Sequence, residues 1–283
     1  MAETEGQAND TKDNLNVNRF SNADVEYEGG SPNTNSWLFT LDELHDRTPS
    51  RLDGISYEGE VESRFKGINF IIMAASRLRL PHNTIFAASC YFHRFYIRKS
   101  FRKYHQYDIA ATCLFIAAKS EETARRVKDV VIVCAKVAQK NDSAVIDEQS
   151  KEFWRWRDMI LFNELVVLET ICFDLEVANP YDILQDFVAE LKLEERSTDV
   201  CRSSWKFLND TCRSMAILAA TPRELAVSAI YWGGVLLGKP ITDEPNEEWY
   251  LNLKVPKEKI EIVCALMADA YKSRTGEQKY GTV

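Results

Sequence analysis

From residue 37 onward, apolar residues return every three or four positions and almost nowhere alternate strictly, a pattern that predicts helices rather than strands. Phe65, Ile68, Ile72, Ala75 and Leu78 share one face of a first helix. Pro81 stands where a helix accepts proline, in a first turn, and a second helix runs on through Ile85, Ala88, Tyr91, Phe92 and Phe95. The third, over 107–119, is apolar nearly all round and belongs in the middle of a bundle. A fourth covers about 126–139. Its Val130 to Val133 run is β-branched, but Val127, Val130, Val131, Cys134 and Val137 also share a helical face. A fifth covers about 147–172, with Phe153, Trp156, Ile160, Leu165, Leu168 and Ile171. After Asn179-Pro180-Tyr181 a second series follows over 181–191, 198–215, 222–237 and 256–272, with room for one short turn near Trp249 and Tyr250. Ahead of both, Thr40 and Glu43 form a capping box that starts a short helix. Pro49 is expected to end that helix, leaving 50–59 as loop. The predicted class is all-α: two tandem five-helix domains preceded by an N-terminal helix.

Composition adds a core and a tail. Of 283 residues, 45% are hydrophobic and 28% charged, the balance of a globular chain, and the net charge is −8. Residues 1–32 hold seven acids against Lys12 and Arg19, a net −5, which leaves −3 for the remainder. Residues 1–35 therefore read as an acidic disordered tail, and 274–283 as a short C-terminal tail. An acidic balance argues against wrapping nucleic acid. The most apolar stretch, Ala226 to Gly238, is too short for a membrane span. The acidic N-terminus lacks the basic and apolar regions of a secretory leader. The seven cysteines include no C-x-x-C pair, so reduced, buried thiols in an intracellular protein are expected.

Candidate chemistry is sparse. Gly233 to Lys239 matches G-x-x-x-x-G-K, but Pro240 follows and the segment ends a helix, so close packing and a C-cap are the expected roles. Cys90 and His93 lie three apart, too few ligands for a zinc site, and a core Cys beside a hydrogen-bonded His is expected. No metal, cofactor or catalytic residue is expected. The cluster Arg94, Arg98, Lys99, Arg102 and Lys103 is either a solvated face complementing a helix dipole or a docking patch for an acidic or phosphorylated partner. Lys119 closes the most buried-looking helix, and Glu164 sits among Leu161, Phe162, Leu165, Val166, Val167 and Leu168. A lone charge there is costly. The two residues either bridge helices internally or lie on an exposed apolar face awaiting a partner's polar groups.

Three segments resemble the cyclin box in order and spacing: Phe92-His93-Arg94-Phe95-Tyr96, Ala110 to Thr123 with its Lys119-Ser120-Glu121-Glu122, and Glu164 to Leu175. The resemblance covers about 37–272. It would make 36–59 the N-terminal helix and loop, 60–178 a first cyclin box and 179–273 a second. Trp37-x-Phe39-Thr40, Pro49-Ser50-Arg51 and His93-Arg94-Phe95-Tyr96 are similar to transcriptional cyclins of the T/K group. Ala135 to Asn141 and Trp154 to Asp158 are similar to the fungal cyclin of the P-TEFb elongation kinase, with the cyclin of the fungal C-terminal-domain kinase as the neighbouring candidate. The resemblance implies a nuclear, non-catalytic subunit that activates a cyclin-dependent serine/threonine kinase acting on the RNA polymerase II C-terminal domain and elongation factors. It places Lys119, Glu122, Glu164, Val167, Leu168, Phe173 and Leu175 at the kinase contact. Where cell-cycle cyclins carry Met-Arg-x-Ile-Leu, this chain has Ser63-Arg64-Phe65-Lys66-Gly67, which puts a substrate groove there in doubt. The alternative of another class is a DNA-binding core like transcription factor IIB, which should bring an N-terminal zinc ribbon and a basic core; neither stands in the sequence.

Overall fold

The computed structural model describes residues 37–242 and 248–278, and the regular elements among them are all helical. Short α1 (Leu41–Asp46) and α2 (Pro49–Leu52) lead into a first bundle. Its members are α3 (Tyr57–Arg77), α4 (His82–Tyr96), α5 (Gln106–Ser120), α6 (Val127–Ala138) and α7 (Lys151–Thr170). Helix α5 lies at the centre, with Ile109 to Ala118 all buried and α3, α4, α6 and α7 packed around it. A helix without a polar face has no other stable place.

The second bundle repeats the plan. It comprises α8 (Pro180–Glu190), α9 (Leu193–Arg196), α10 (Thr198–Thr211), a 3-10 turn (Met215–Leu218), α11 (Pro222–Leu237), α12 (Trp249–Asn252) and α13 (Lys257–Gln278). Here α11 is central, against α8, α10 and α13. A Cβ at Gly233 would stand 2.7 Å from Ser204 Oγ and 3.0 Å from the Val200 carbonyl, so the glycine lets α10 press onto α11. Gly238 closes α11 in the left-handed conformation at φ +60°. The G-x-x-x-x-G-K string is thus a packing site and a helix end.

Several boundaries differ from the sequence reading. The capping box of Thr40 and Glu43 forms, but α1 stops at Asp46, and Pro49 opens α2 instead of ending α1. Its missing N–H costs nothing at a first helical position, and Thr48 caps the turn. Helix α3 begins at Tyr57 because the Ser56 hydroxyl accepts from Gly59 N–H, which shortens the expected 50–59 loop. Helix α7 begins at Lys151 on an Ser150 cap, and α10 ends at Thr211 before the 3-10 turn. The tail expected over 1–35 lies outside the described residues; of the one expected over 274–283, α13 takes in residues to Gln278 and the rest lies outside them.

A buried charged network ties the pieces together. Glu60 and Arg64, one turn apart on α3, are both fully enclosed, with Arg64 Nη2 2.6 Å and Nε 3.0 Å from Glu60 Oε1. Thr48 Oγ1 donates to Glu60 Oε2 at 2.5 Å. Arg64 Nη1 reaches His93 Nδ1 at 3.2 Å, and His93 Nε2 lies 2.9 Å from the Cys212 carbonyl in the second bundle. Arginine only donates, so Nδ1 accepts, the ring proton sits on Nε2, and His93 is neutral. Burial, helped by the Arg64 charge, lowers its pKa to about 3. Both ring nitrogens are taken, and Cys90 beside it is a buried free thiol that burial pushes up to about 12. Two further bonds join the bundles: Arg213 Nε to Asn69 Oδ1 at 2.8 Å and Tyr57 hydroxyl to Asp269 Oδ2 at 3.1 Å.

On α3, a Cβ at Gly67 would fall 2.2 Å from Phe92 Cζ. Glycine at 67 thus leaves room for the Phe92 ring against α3.

Candidate functional site

Lys119, in the last turn of α5, donates to Glu164 Oε1 on α7 at 2.5 Å. The Lys119 side chain is 47% exposed and that of Glu164 23%. The pair bridges two helices, and it also faces solvent. Lys119 Nζ also stands 4.0 Å over the Phe115 ring. Solvent reaches the bridge, so its worth to the fold is small, of order 0–1 kcal/mol.

Exposed apolar side chains share α7 and the turn after it with Glu164. Phe162 is 75% exposed, Leu165 55% and Phe173 59%, with Leu161 at the edge. The buried stripe of α7 is Phe153, Trp156, Ile160, Asn163 and Val167, so Leu161, Phe162 and Leu165 form a second apolar stripe beside the core-facing one. Contiguous exposed apolar surface around a polar pair is the pattern of a docking site. The sequence reading took Leu161 and Phe162 only as the surroundings of Glu164 and counted Leu165 in the apolar pattern of the helix; in the structure Leu165 is 55% exposed, because the core-facing stripe runs through Asn163 and Val167.

The remaining residues divide by position. Leu168 and Leu175 are half-buried, Glu122 is exposed, and Val167 is fully buried. Val167 faces the bundle interior, where it fixes the α7 backbone and offers no contact outward. Glu122 has φ +54° in the turn after α5.

The end of α7 is strained and held. Cys172 and Phe173 are consecutive left-handed residues at φ +57° and +55°. For residues with a Cβ this costs about 1–2 kcal/mol each. The turn throws Phe173 outward while its N–H donates to the Leu168 carbonyl at 2.8 Å. Two side chains of α4 and one just past its end supply the restraint. Arg94 donates to the carbonyls of Asp174 at 2.9 Å and Glu176 at 3.3 Å. Arg98 donates to the Thr170 carbonyl at 3.1 Å and reaches Cys172 Sγ. The Tyr91 hydroxyl donates to the Leu175 carbonyl at 2.8 Å and meets Ser120 Oγ, next to Lys119, at 3.0 Å. Burial pushes the Tyr91 phenol up to about 12, so it remains a donor at neutral pH. Trp37 completes the clamp: its Nε1 donates to Asp174 Oδ2 at 2.7 Å, and its ring lies 4.5 Å from the Arg98 guanidinium and 5.1 Å from that of Arg94.

The five-residue basic cluster is thus two groups. Arg94 and Arg98 satisfy open carbonyls around the end of α7, where positive charge also suits the helix dipole. Lys99, Arg102 and Lys103 lie beyond them on the loop to α5. Chemically, the α5–α7 surface can donate from an ammonium, accept at a carboxylate and bury apolar side chains. Among the described residues no group of three His, Cys, Asp or Glu is placed to hold a metal ion, and no helix is long and apolar enough to cross a membrane.

The model of the cyclin N-terminal domain matches residues 37–176. Cyclin pch1 of Schizosaccharomyces pombe is 41% identical over 245 residues, covering 86% of this chain and 71% of that protein. Cyclin-T1-3 of Oryza sativa is 31% identical over 86% of this chain, which spans 50% of its length. Among solved structures, the yeast RNA Pol II CTD kinase CTDK-1 complex aligns with a TM-score of 0.68 over 83% of this chain and 72% of that one, at 16% identity, a likeness of fold.

Proposed function

Because the chain belongs to the cyclin family, we propose that it is the non-catalytic regulatory subunit of a cyclin-dependent serine/threonine kinase. The substrate is the RNA polymerase II C-terminal domain, with elongation factors, and the setting is nuclear. In this reading 60–178 and 179–273 are the two cyclin boxes, with the boundary at the Asn179 cap of α8. The observation that carries the reading is the solvent-facing Lys119–Glu164 bridge, with Leu165 exposed next to Glu164 on α7 and Phe173 exposed in the turn that follows.

The kinase docks a helix here. Glu164 accepts backbone N–H groups left open at that helix's start, and Lys119 donates to carbonyls. Phe162, Leu165, Leu168, Phe173 and Leu175 bury apolar area around these bonds and exclude water, which strengthens them. The surface favours the kinase conformation in which its Lys–Glu pair and activation loop are in place. Its contribution is differential affinity for that state; no residue of this chain takes part in phosphoryl transfer. The transcriptional assignment draws on the cyclin pch1 and cyclin-T1-3 relatives and on the Trp37-x-Phe39-Thr40 and His93-Arg94-Phe95-Tyr96 strings. It also agrees with a fold neighbour described as a polymerase C-terminal-domain kinase.

The test is the affinity of the purified kinase for Glu164→Ala. Truncating a charge that becomes buried in an interface costs about 2–5 kcal/mol, and the free chain should keep its melting temperature because the bridge is solvent-exposed. Unchanged affinity would remove Glu164 from the site.

A further inference from the structure

Lys99, Arg102 and Lys103 stand within five positions, and their side chains make no ion pair among the described residues. The loop that carries them is rigidly anchored. Its other members point inward: Ser100 is buried, and the Phe101 ring stacks on Tyr96 at 3.5 Å with 6° between planes. Phe101 N–H donates to Ser50 Oγ at 3.2 Å, and Arg102 N–H to Ser100 Oγ at 3.2 Å. The Tyr96 hydroxyl donates to the Tyr104 carbonyl at 3.0 Å, while the Tyr104 ring sits edge-on to Phe95 at 5.1 Å. Three like charges therefore stand within five positions on one fixed loop, an arrangement that repels itself. Arg94 and Arg98 next to them are engaged with carbonyls and are not available to a ligand.

The number of free cations selects the ligand. A nucleic-acid track engages six to ten phosphates along a basic face, whereas residues 33–283 carry a net −3 and this patch offers three charges. One arginine fork flanked by two ammonium groups matches one or two phosphate groups on a short segment. We propose that Lys99, Arg102 and Lys103 form a docking site for a phosphoserine- or phosphothreonine-bearing segment of the kinase's own substrate. The choice of a phosphorylated protein as occupant rests on the kinase-subunit reading above. A substrate with many repeated acceptor sites would then be retained after its first phosphorylation, and later transfers would start from a tethered segment.

The test uses the full chain without kinase and a labelled serine-proline peptide carrying two phosphoserines, read by fluorescence anisotropy at 50 and 150 mM salt. The phosphopeptide should bind at least tenfold tighter than its unphosphorylated form and weaken at least threefold at the higher salt. The triple variant Lys99→Glu, Arg102→Glu, Lys103→Glu should lose at least tenfold while capturing kinase as the parent does. Glu164→Ala should bind the peptide like the parent. Equal binding of both peptides, or full binding by the triple variant, would overturn the site. So would tighter binding of a single-stranded RNA of equal charge, which would make the patch a nucleic-acid contact. The two readings fail separately: kinase capture without peptide binding removes the patch, and peptide binding without kinase capture removes the kinase reading.

Discussion

At Val167 and Phe162, five residues apart on one helix, similar chemistry meets opposite fates. Val167 is buried in the bundle, and Phe162 stands in solvent at 75% exposure. Val167→Ala should destabilise the chain by about 2 kcal/mol through lost burial and a small cavity. Phe162→Ala should leave stability within about 0.5 kcal/mol and weaken kinase binding by more than about 1 kcal/mol. Denaturant unfolding and titration of the kinase, run on both variants, would show the crossed pattern; binding loss only in Val167→Ala would place the contact elsewhere. The same scale holds a pH effect. His93 is neutral in the fold with its pKa lowered to about 3, by burial first and Arg64 second, against a reference of 6.5. Between those values the unfolded chain binds the extra proton, so stability falls as pH drops from about 6.5, by up to about 1.4 kcal/mol per pH unit. His93→Gln should flatten that slope between pH 7 and 5; an unchanged slope would assign the acid sensitivity to other groups. The sequence offered Cys90 and His93 as neighbours and told no more, because the partners Arg64 and Cys212 come from distant segments.

Among the helices, α4 acts as the brace of the site. Its Tyr91 and Arg94, with Arg98 just past its end, hold carbonyls at and after the end of α7, and so hold Phe173 in its left-handed turn. Arg94→Ala should cost about 2 kcal/mol, the range for hydrogen bonds to a charged group. It should also weaken kinase binding although Arg94 faces inward. Lysine at this position should restore less than half, since it lacks the fork that spans two carbonyls. Full stability of Arg94→Ala would mean that the turn holds itself. Helix identity was legible at this scale because 3.6-residue periodicity is a local property: the all-apolar run of α5 announced a central helix, and Gly238 an ending. Pro49 was not, since a proline that ends one helix and a proline that opens the next look alike until the Thr48 cap is seen. Nor was the division of the basic cluster. Nothing in the spacing of Arg94, Arg98, Lys99, Arg102 and Lys103 tells which of them will find carbonyls on a helix about 70 residues away.

Across the whole molecule, two bundles with central helices α5 and α11 are locked through the His93 link to Cys212 and through Arg213 to Asn69. The lock leaves the α5–α7 face with an unfilled apolar surface around one ion pair. The tandem all-α plan was readable from the two helical series and the Pro180 break between them, because each series had to bury its own apolar stripes. The face itself was half readable. Lys119 and Glu164 stood out as charges in apolar surroundings, but whether those surroundings were core or surface depends on how α7 rolls against α5, a tertiary outcome. The central claim joins that face to a kinase. The most direct test is recovery of the tagged chain and its Glu164→Ala variant from source cells, each followed by a kinase assay on a peptide of the RNA polymerase II C-terminal domain. The parent chain should bring down a cyclin-dependent kinase that phosphorylates the peptide, and the variant, equally folded, should lose both. No kinase with the parent chain, or equal activity with the variant, would contradict the central claim.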